Sequence, residues 1–595
     1  MKRLITGDEA LAAGAVDAGV SYAAAYPGTP STEILETLAE YKDKIYAEWA
    51  PNEKVALEGA IGACYAGARA LASMKHVGLN VAADPFFTNA YTGVNAGLVI
   101  ITADEPGMHS SQNEQDNRYY AWHANVPMFE PSNSQECYSM MLTAYELSET
   151  YDVPVLIRVT TRVCHAKSVV ELREPKPKRF IPFEKNPSKY VTVPANSKKL
   201  KTKLLQRNEM LLKYSNSSAY NFAEYNSSQI GIIASGICYE YAKEVFGDSA
   251  SYLKVGYSFP LPSEKIKEFA SNIEKLYVIE ENEPIMENAV KALGLAVTGK
   301  DILPYEGEML PETIRKAMLG TSLPYPKHSL EDVPPRPPTL CAGCPHRGLF
   351  YVLGKRKNLF LSGDIGCYTL GYAPPYNGID TVTCMGASIS SAHGAQKVFD
   401  LQPDNEMRSA AIIGDSTFFH TGINSLMNVA YNNSKVITII LDNRITGMTG
   451  HQQNPGTGYT AQMEPTGTMD IAAIVKALGI NNIKTINPNI LAETEAALDW
   501  AESADGPCVI ITRWPCALKK FSKEDHSEFK NLFTEKYFVD TEKCIGCKIC
   551  LKCGCPAISV DNEAKKAAIS ESCAGCSVCS QVCPSDAIIK EGGNE

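Results

Sequence analysis

Nine of the chain's nineteen cysteines fall between Cys544 and Cys583, and their spacing suits metal binding rather than disulfides. The segment "CAGCSVCSQVCP" spells C-x2-C-x2-C-x3-C-P with Cys573, Cys576, Cys579 and Cys583. In such a run three close thiolates grip one [4Fe-4S] cubane, and the fourth, before proline, crosses to a second. On that rule Cys544, Cys547 and Cys550 hold one cluster with Cys583. Cys573, Cys576 and Cys579 then hold the other with a cysteine of "CIGCKICLKCGCP". Two candidates exist for that place, Cys553 and Cys555. Only Cys555 precedes a proline and an "AI", as Cys583 does in "CPSDAI", so Cys555 is the expected ligand and Cys553 a spare thiol. Structural zinc also uses C-x2-C pairs, but a tetrahedral ion needs neither the triplet nor the crossing cysteine. Two cubanes carry single electrons, so another part of the chain is expected to make or consume them.

A second constellation lies in "AAIIGDSTFFHTGINSLMNVAYNNSKVITIILDNRITGMTG", which reads strand, helix, strand. Gly414, Asp415 and Ser416 end the first strand, and Asp442 and Asn443 end the next. One such unit sets two strand ends side by side, so Asp415, Asn443 and the carbonyl of Ile445 can share one Mg2+. The remaining positions of that hard cation take diphosphate oxygens and water. The helix after Asp415 points its N-terminus at the same anion. A GD-S turn alone is common after any parallel strand; with "DNRITGMTGHQ" it resembles the thiamine diphosphate motif, which makes Met448 and Thr449 further cofactor contacts.

The elements that position these residues are α/β. Runs such as "GLVIITADEPG", "VPVLIRVT", "IGIIASG" and "KVITIILDN" alternate with amphipathic helix-length segments, the signature of parallel strands buried on both faces. At 595 residues the chain exceeds one core. Expected are a first α/β domain at 1–175, a basic, Pro- and Ser-rich linker or covering segment at 176–228, a second α/β domain at 229–330, and a proline-rich connector, "EDVPPRPPTL". A third α/β domain at 335–535 and a small α+β two-cluster ferredoxin-like domain at 537–595 complete the order. The net charge of −11 disfavours nucleic acid as a partner. Asp8, Glu9 and Asp17 interrupt any signal peptide, and no apolar run reaches membrane-spanning length, so a cytoplasmic protein without a membrane partner is expected.

Together the motifs resemble the 2-oxoacid:ferredoxin oxidoreductases. The resemblance spans nearly the whole chain: "YPGTPSTEI", "NEKVALEGAIGACYAGARA", "SSQNEQDNR", "VIEENEP", "CAGCPHRG", "GDIGCYTLG", "CMGAS" and "GMTGHQ". It implies doubly wound thiamine diphosphate-binding domains. It also implies that Glu53 hydrogen-bonds the aminopyrimidine ring of the cofactor, that Thr29 lies beside substrate, and that Arg118 pairs with the substrate carboxylate. Cys384 falls in a stretch that lines the cofactor. Cys341, Cys344, Cys367 and Cys516 are similar to the ligands of a third cluster near the thiamine, although "CPHR" departs from the commoner context, and buried free thiols are the alternative. His451 stands where relatives acting on smaller acids carry a glycine, and is expected to shape the substrate end of the pocket.

The implied reaction is decarboxylation of a 2-oxoacid, with two electrons leaving singly through the clusters to an external ferredoxin and the acyl group passing to coenzyme A. The domain order is most similar to members acting on arylpyruvates (indolepyruvate, phenylpyruvate, 4-hydroxyphenylpyruvate), whose further domain is a separate beta subunit, in a dimer of heterodimers. The competing readings are a non-oxidative thiamine-dependent decarboxylase or synthase with a structural or sensing tail, and a non-catalytic electron carrier.

Overall fold

The Val- and Ile-rich runs form strands of two large sheets, each within its own part of the chain. The computed structural model describes residues 1–323, 333–334, 336–403, 405–530, 532–561 and 563–591, and the chain divides into two compact units, Met1–His328 and Ser329–Glu595. The proline-rich connector expected at 331–340 lies in part outside the described residues.

The first unit is built on a seven-stranded sheet. Its strand order is Tyr257–Phe259, Met128–Phe129, Val155–Thr160, Leu98–Asp104, Ala70–Lys75, Tyr22–Ala25, Tyr46–Trp49. All neighbours are parallel except Tyr257–Phe259, which runs antiparallel to Met128–Phe129. Alternation along Leu98–Asp104 shows why helices cover both faces. Val99 and Ile101 pack in one core with Leu11 and Tyr138, while Leu98 and Ile100 pack in another with Leu57 and Phe86. A four-stranded sheet follows in the order Lys275–Ile279, Ile230–Ala234, Ser251–Val255, Asn221–Glu224, the last strand antiparallel.

The segment expected as a linker is largely helical. Pro194–Ser217 forms a 24-residue helix that buries Leu200, Leu204 and Leu211 and turns Lys198, Lys201, Lys203 and Lys213 to solvent. Three leucines on one stripe are enough to dock a helix whose remaining surface is charged.

The second unit holds a six-stranded, all-parallel sheet. The order is Thr381–Val382, Leu359–Gly363, Arg408–Gly414, Ile437–Asp442, Cys508–Arg513, Ile483–Ile486. The cysteine-rich tail is α+β: two antiparallel ribbons, Tyr537–Val539 with Ile588–Lys590 and Ile558–Val560 with Ala567–Ile569, and two short helical turns. No helix among the described residues is long and apolar enough to cross a membrane.

Candidate functional site

In the second unit Arg408–Gly414 and Ile437–Asp442 are adjacent parallel strands, with Gly414 opposite Leu441. Their carboxyl ends therefore deliver Asp415 and Asn443 to one edge of the sheet. Asp415 is 3% exposed. Its Oδ1 accepts from the Ser416 N–H at 2.6 Å, while Oδ2 is buried without a hydrogen-bond partner among the described residues. Burial, and then the charge of Asp442, push its carboxyl up to about 8. Asp442 itself is ion-paired to Arg513 at 2.8 Å and Arg444 at 3.4 Å. The Asn443 Oδ1 accepts from the Ile445 N–H at 3.3 Å, and Thr446 Oγ1 donates to Ser416 Oγ at 2.9 Å. An orphaned buried carboxylate oxygen in an oxygen-rich cradle fits a hard divalent cation. Met448 and Cys384 are exposed, and the Thr449 hydroxyl donates to Gln452 Oε1 at 2.5 Å.

Four thiols meet beside this edge. The Cys516 N–H donates to the Asn443 carbonyl at 3.0 Å, and a Cβ on Gly447 would stand 3.8 Å from both Asn443 Nδ2 and Cys367 Sγ. Burial raises the Cys367 thiol to about 11, with Cys516 and Cys341 adding to it. Burial likewise raises Cys344, with Cys367 and Cys516 as neighbours. Cys341, Cys344, Cys367 and Cys516 are therefore one group. Cys344, Cys367 and Cys516, so reluctant to ionise, are inert until a metal draws off the proton.

The tail sorts into two further groups. Cys550 is raised by burial and by Cys547, Cys583 and Cys544; Cys579 is raised by burial and by Cys576, Cys553, Cys555 and Cys573. Cys583 Sγ also accepts the Ala587 N–H at 3.3 Å. Both Cys553 and Cys555 face the second group. Among the described residues no three cysteine sulfurs lie within 4.8 Å of one another.

In the first unit the strands Ala70–Lys75, Tyr22–Ala25 and Tyr46–Trp49 are neighbours, and the segments after their carboxyl ends carry Gly78 in the helix His76–Val81, Thr29 in a loop, and Glu53. Glu53 opens the helix Glu53–Tyr65, capped by the Asn52 side chain. It is 5% exposed, unlike an acid on a solvated helix face. A Cβ on Gly78 would come within 2.6 Å of Glu53 Oε1, so this glycine makes room for the carboxylate. Thr29 is partly buried.

Arg118 differs from expectation. It is 2% exposed, and its Nε and Nη2 grip Asp116 at 2.9 and 2.5 Å. Nη1 donates to Glu280 at 2.6 Å, and Nη2 also reaches the carbonyls of Glu281 and Glu283. With Nε, Nη2 and one N–H of Nη1 so engaged, the guanidinium has no complete fork left for a substrate carboxylate. The aspartate two residues earlier and the "VIEENEP" segment consume it. The His451 Nε2 lies 3.8 Å from Cys516 Sγ, at the thiol group.

A family model described as "Thiamine pyrophosphate enzyme, C-terminal TPP binding domain" matches residues 364–512. One described as "Pyruvate flavodoxin/ferredoxin oxidoreductase, thiamine diP-bdg" matches residues 13–230. The indolepyruvate oxidoreductase subunit IorA of Pyrococcus abyssi is 40% identical over 634 residues, covering 99% of this chain and 97% of its own. That of Archaeoglobus fulgidus is 40% identical over 621 residues with the same coverage. The chain belongs to the IorA family. The 2-oxoglutarate synthase subunit KorA of Methanothermobacter marburgensis is 23% identical and covers 53% of this chain. As an IorA family member the chain is a thiamine diphosphate-dependent oxidoreductase of the 2-oxoacid:ferredoxin class.

Three further residues shape the site. Gly78 escapes sequence reasoning because it lies in no quoted motif, and Asp364 sits in "GDIGCYTLG" without being singled out there. Asp364 is fully buried and accepts from the N–H groups of Gly386 at 2.7 Å and Ser388 at 2.9 Å, which fixes the "CMGAS" loop. Gly386 has φ +84°, and a Cβ there would meet Thr421 Oγ1 at 1.7 Å. A GD pair after the strand Leu359–Gly363 was the available signal for Asp364.

Proposed function

We propose that this chain catalyses the coenzyme A-acylating oxidative decarboxylation of arylpyruvates, indolepyruvate, phenylpyruvate and 4-hydroxyphenylpyruvate, in complex with a beta subunit as a dimer of heterodimers. In balance, the 2-oxoacid and coenzyme A thiol give an aryl-acetyl thioester, CO2 and a proton, while two one-electron ferredoxins are reduced. Thiamine diphosphate supplies the carbon nucleophile and the electron reservoir for this chemistry. Asp415, Asn443 and the Ile445 carbonyl hold its Mg2+, with Gly414 and Ser416 at the diphosphate and Met448, Thr449 and Cys384 along the cofactor. Glu53 shares a proton with the aminopyrimidine ring, a task suited to a carboxyl shielded from water. Thr29 lies beside the substrate.

Three [4Fe-4S] clusters form the exit path. Their ligands are Cys341, Cys344, Cys367 and Cys516; Cys573, Cys576, Cys579 and Cys555; and Cys544, Cys547, Cys550 and Cys583, the last two sets in a ferredoxin-like tail. The reading is carried by one observation: four thiols converge on the sheet edge that presents Asp415 and Asn443. An electron source and its first acceptor are then neighbours within one unit. The test is reduction of methyl viologen by the anaerobic two-subunit complex with arylpyruvate and coenzyme A, together with an iron count. Reduction with about twelve iron atoms per chain is expected for three cubanes. CO2 release without dye reduction would mean a non-oxidative enzyme, and about eight iron atoms would remove the third cluster.

A further inference from the structure

A guanidinium taken out of water is ordinarily found beside a carboxylate, because an uncompensated buried ion is costly. Arg118 and Arg158 obey this, each buried and ion-paired to two acids. Arg347 does not. It is 1% exposed and among the largest fully buried side chains of the protein. Its Nη1 donates to the Tyr376 hydroxyl at 2.5 Å and the Cys553 carbonyl at 2.7 Å. Its Nη2 donates to the carbonyls of Leu340 at 2.8 Å and Cys341 at 2.7 Å. Nε is buried with no partner. All four acceptors are uncharged, and among the described residues no carboxylate is ion-paired with this cation.

What surrounds it instead is the backbone of two of the three cysteine groups. Its donors join the backbone of the Cys341 turn to that of Cys553. The same two loops touch elsewhere: Gly343 has φ +74°, and a Cβ there would meet the Ala574 Cβ at 2.5 Å.

We propose that Arg347 is the shared counter-ion of two iron-sulfur clusters, the one held by Cys341, Cys344, Cys367 and Cys516 and the one held by Cys573, Cys576, Cys579 and Cys555. This rests on the three-cluster reading above. A cubane bound by four thiolates is an anion, and each reduction adds one more negative charge without making or breaking a bond. A fixed cation between two such centres favours the reduced form of both. The electron that leaves the first for the second therefore stays within reach of the same positive charge. Arg347 touches neither substrate nor cofactor; it is a positioning residue that acts through the clusters.

The experiment is an EPR-monitored redox titration of the anaerobic two-subunit holoenzyme carrying Arg347→Gln or Arg347→Lys, with iron counted in each. The cluster of Cys544, Cys547, Cys550 and Cys583 serves as internal reference. Arg347→Gln should make reduction of the two adjacent clusters about tenfold less favourable, a fall of about 59 mV for a one-electron couple, and leave the third unmoved. Arg347→Lys, which keeps the charge and loses the fork, should hold both potentials near wild type. Equal shifts in the two variants would assign Arg347 to scaffolding and overturn the proposal, as would unchanged potentials in Arg347→Gln with all iron retained. Should Arg347→Gln not fold, lowered potentials in a fully loaded Arg347→Lys would overturn it alone. About eight iron atoms in the wild type would end the three-cluster reading and this proposal together, a result distinct from the others.

Discussion

Two buried clusters, one in each unit, treat charge in opposite ways. In the first, Arg118 and Arg158 lie in the interior with Asp104, Asp116, Glu130 and Glu280, and every one of these carboxylates touches a guanidinium. The charges close on each other, so this region is scaffold. In the second, among the described residues, Asp415 is ion-paired with no cation and Arg347 with no carboxylate. A chain that buries charges without pairing them relies on something else to pair them, and the open positions coincide with the expected magnesium and cluster sites. Charge closure thus distinguishes these two clusters, although Asp8 and Arg207 of the first unit are also buried without an ion pair among the described residues.

Replacing Asp415 by Asn gives the largest expected effect. Turnover should fall by about three orders of magnitude, equivalent to roughly 4 kcal/mol, with loss of Mg2+-dependent cofactor retention, while the thermal midpoint of the cofactor-free protein is not lowered. A destabilised apo variant would break the comparison. Arg118→Met is the opposite experiment. Leaving Asp116 and Glu280 buried and unpaired should destabilise the first unit by about 3–5 kcal/mol, read from the denaturant midpoint of its unfolding.

The open carboxylate also predicts a pH dependence. The carboxyl of Asp415 stands at about 8 in the metal-free protein, above its ordinary value of about 3.9. The folded state therefore binds this proton more tightly than the unfolded state. The stability so gained is full below the ordinary value and is lost as pH rises to about 8. Mg2+ must displace the proton, so its affinity should rise by up to about tenfold per pH unit toward pH 8 and then level. Calorimetric titrations at several pH values check this, and Asp415→Asn should flatten the profile.

Gly78→Ala tests the first unit's part in catalysis. A methyl group 2.6 Å from Glu53 Oε1 should displace the carboxylate and cost about 1–3 kcal/mol of stability. Activity should fall without loss of iron. The smallest effect is expected of His451→Gly. It removes a ring nitrogen 3.8 Å from Cys516 Sγ and relieves a φ of +70°. The cluster nearest the thiamine should become slightly harder to reduce, with the aryl-to-alkyl preference unchanged; a changed preference would return His451 to the substrate pocket.

Much of this was legible in the sequence where chemistry is local. The cysteine triplets and the strand-helix-strand unit carrying Asp415 and Asn443 announce themselves because ligand spacing and strand geometry act over a few dozen residues. Long-range pairings were not legible. Nothing near Arg118 says that Glu280, 162 residues later, will take its Nη1. Nothing near Arg347 says that its acceptors will be neutral. The lysine-rich composition of 194–217 hid three leucines at helical spacing, so charge content outweighed periodicity in the linker reading.

The strand Tyr257–Phe259 crosses from the later α/β segment to finish the sheet of the earlier one, pairing with Met128–Phe129. Cutting the gene near codon 230, where the match to the oxidoreductase family model ends, would strip that border and bare a row of unsatisfied amides and carbonyls. Such a fragment should clump on expression, whereas one extended through residue 323 should remain dispersed.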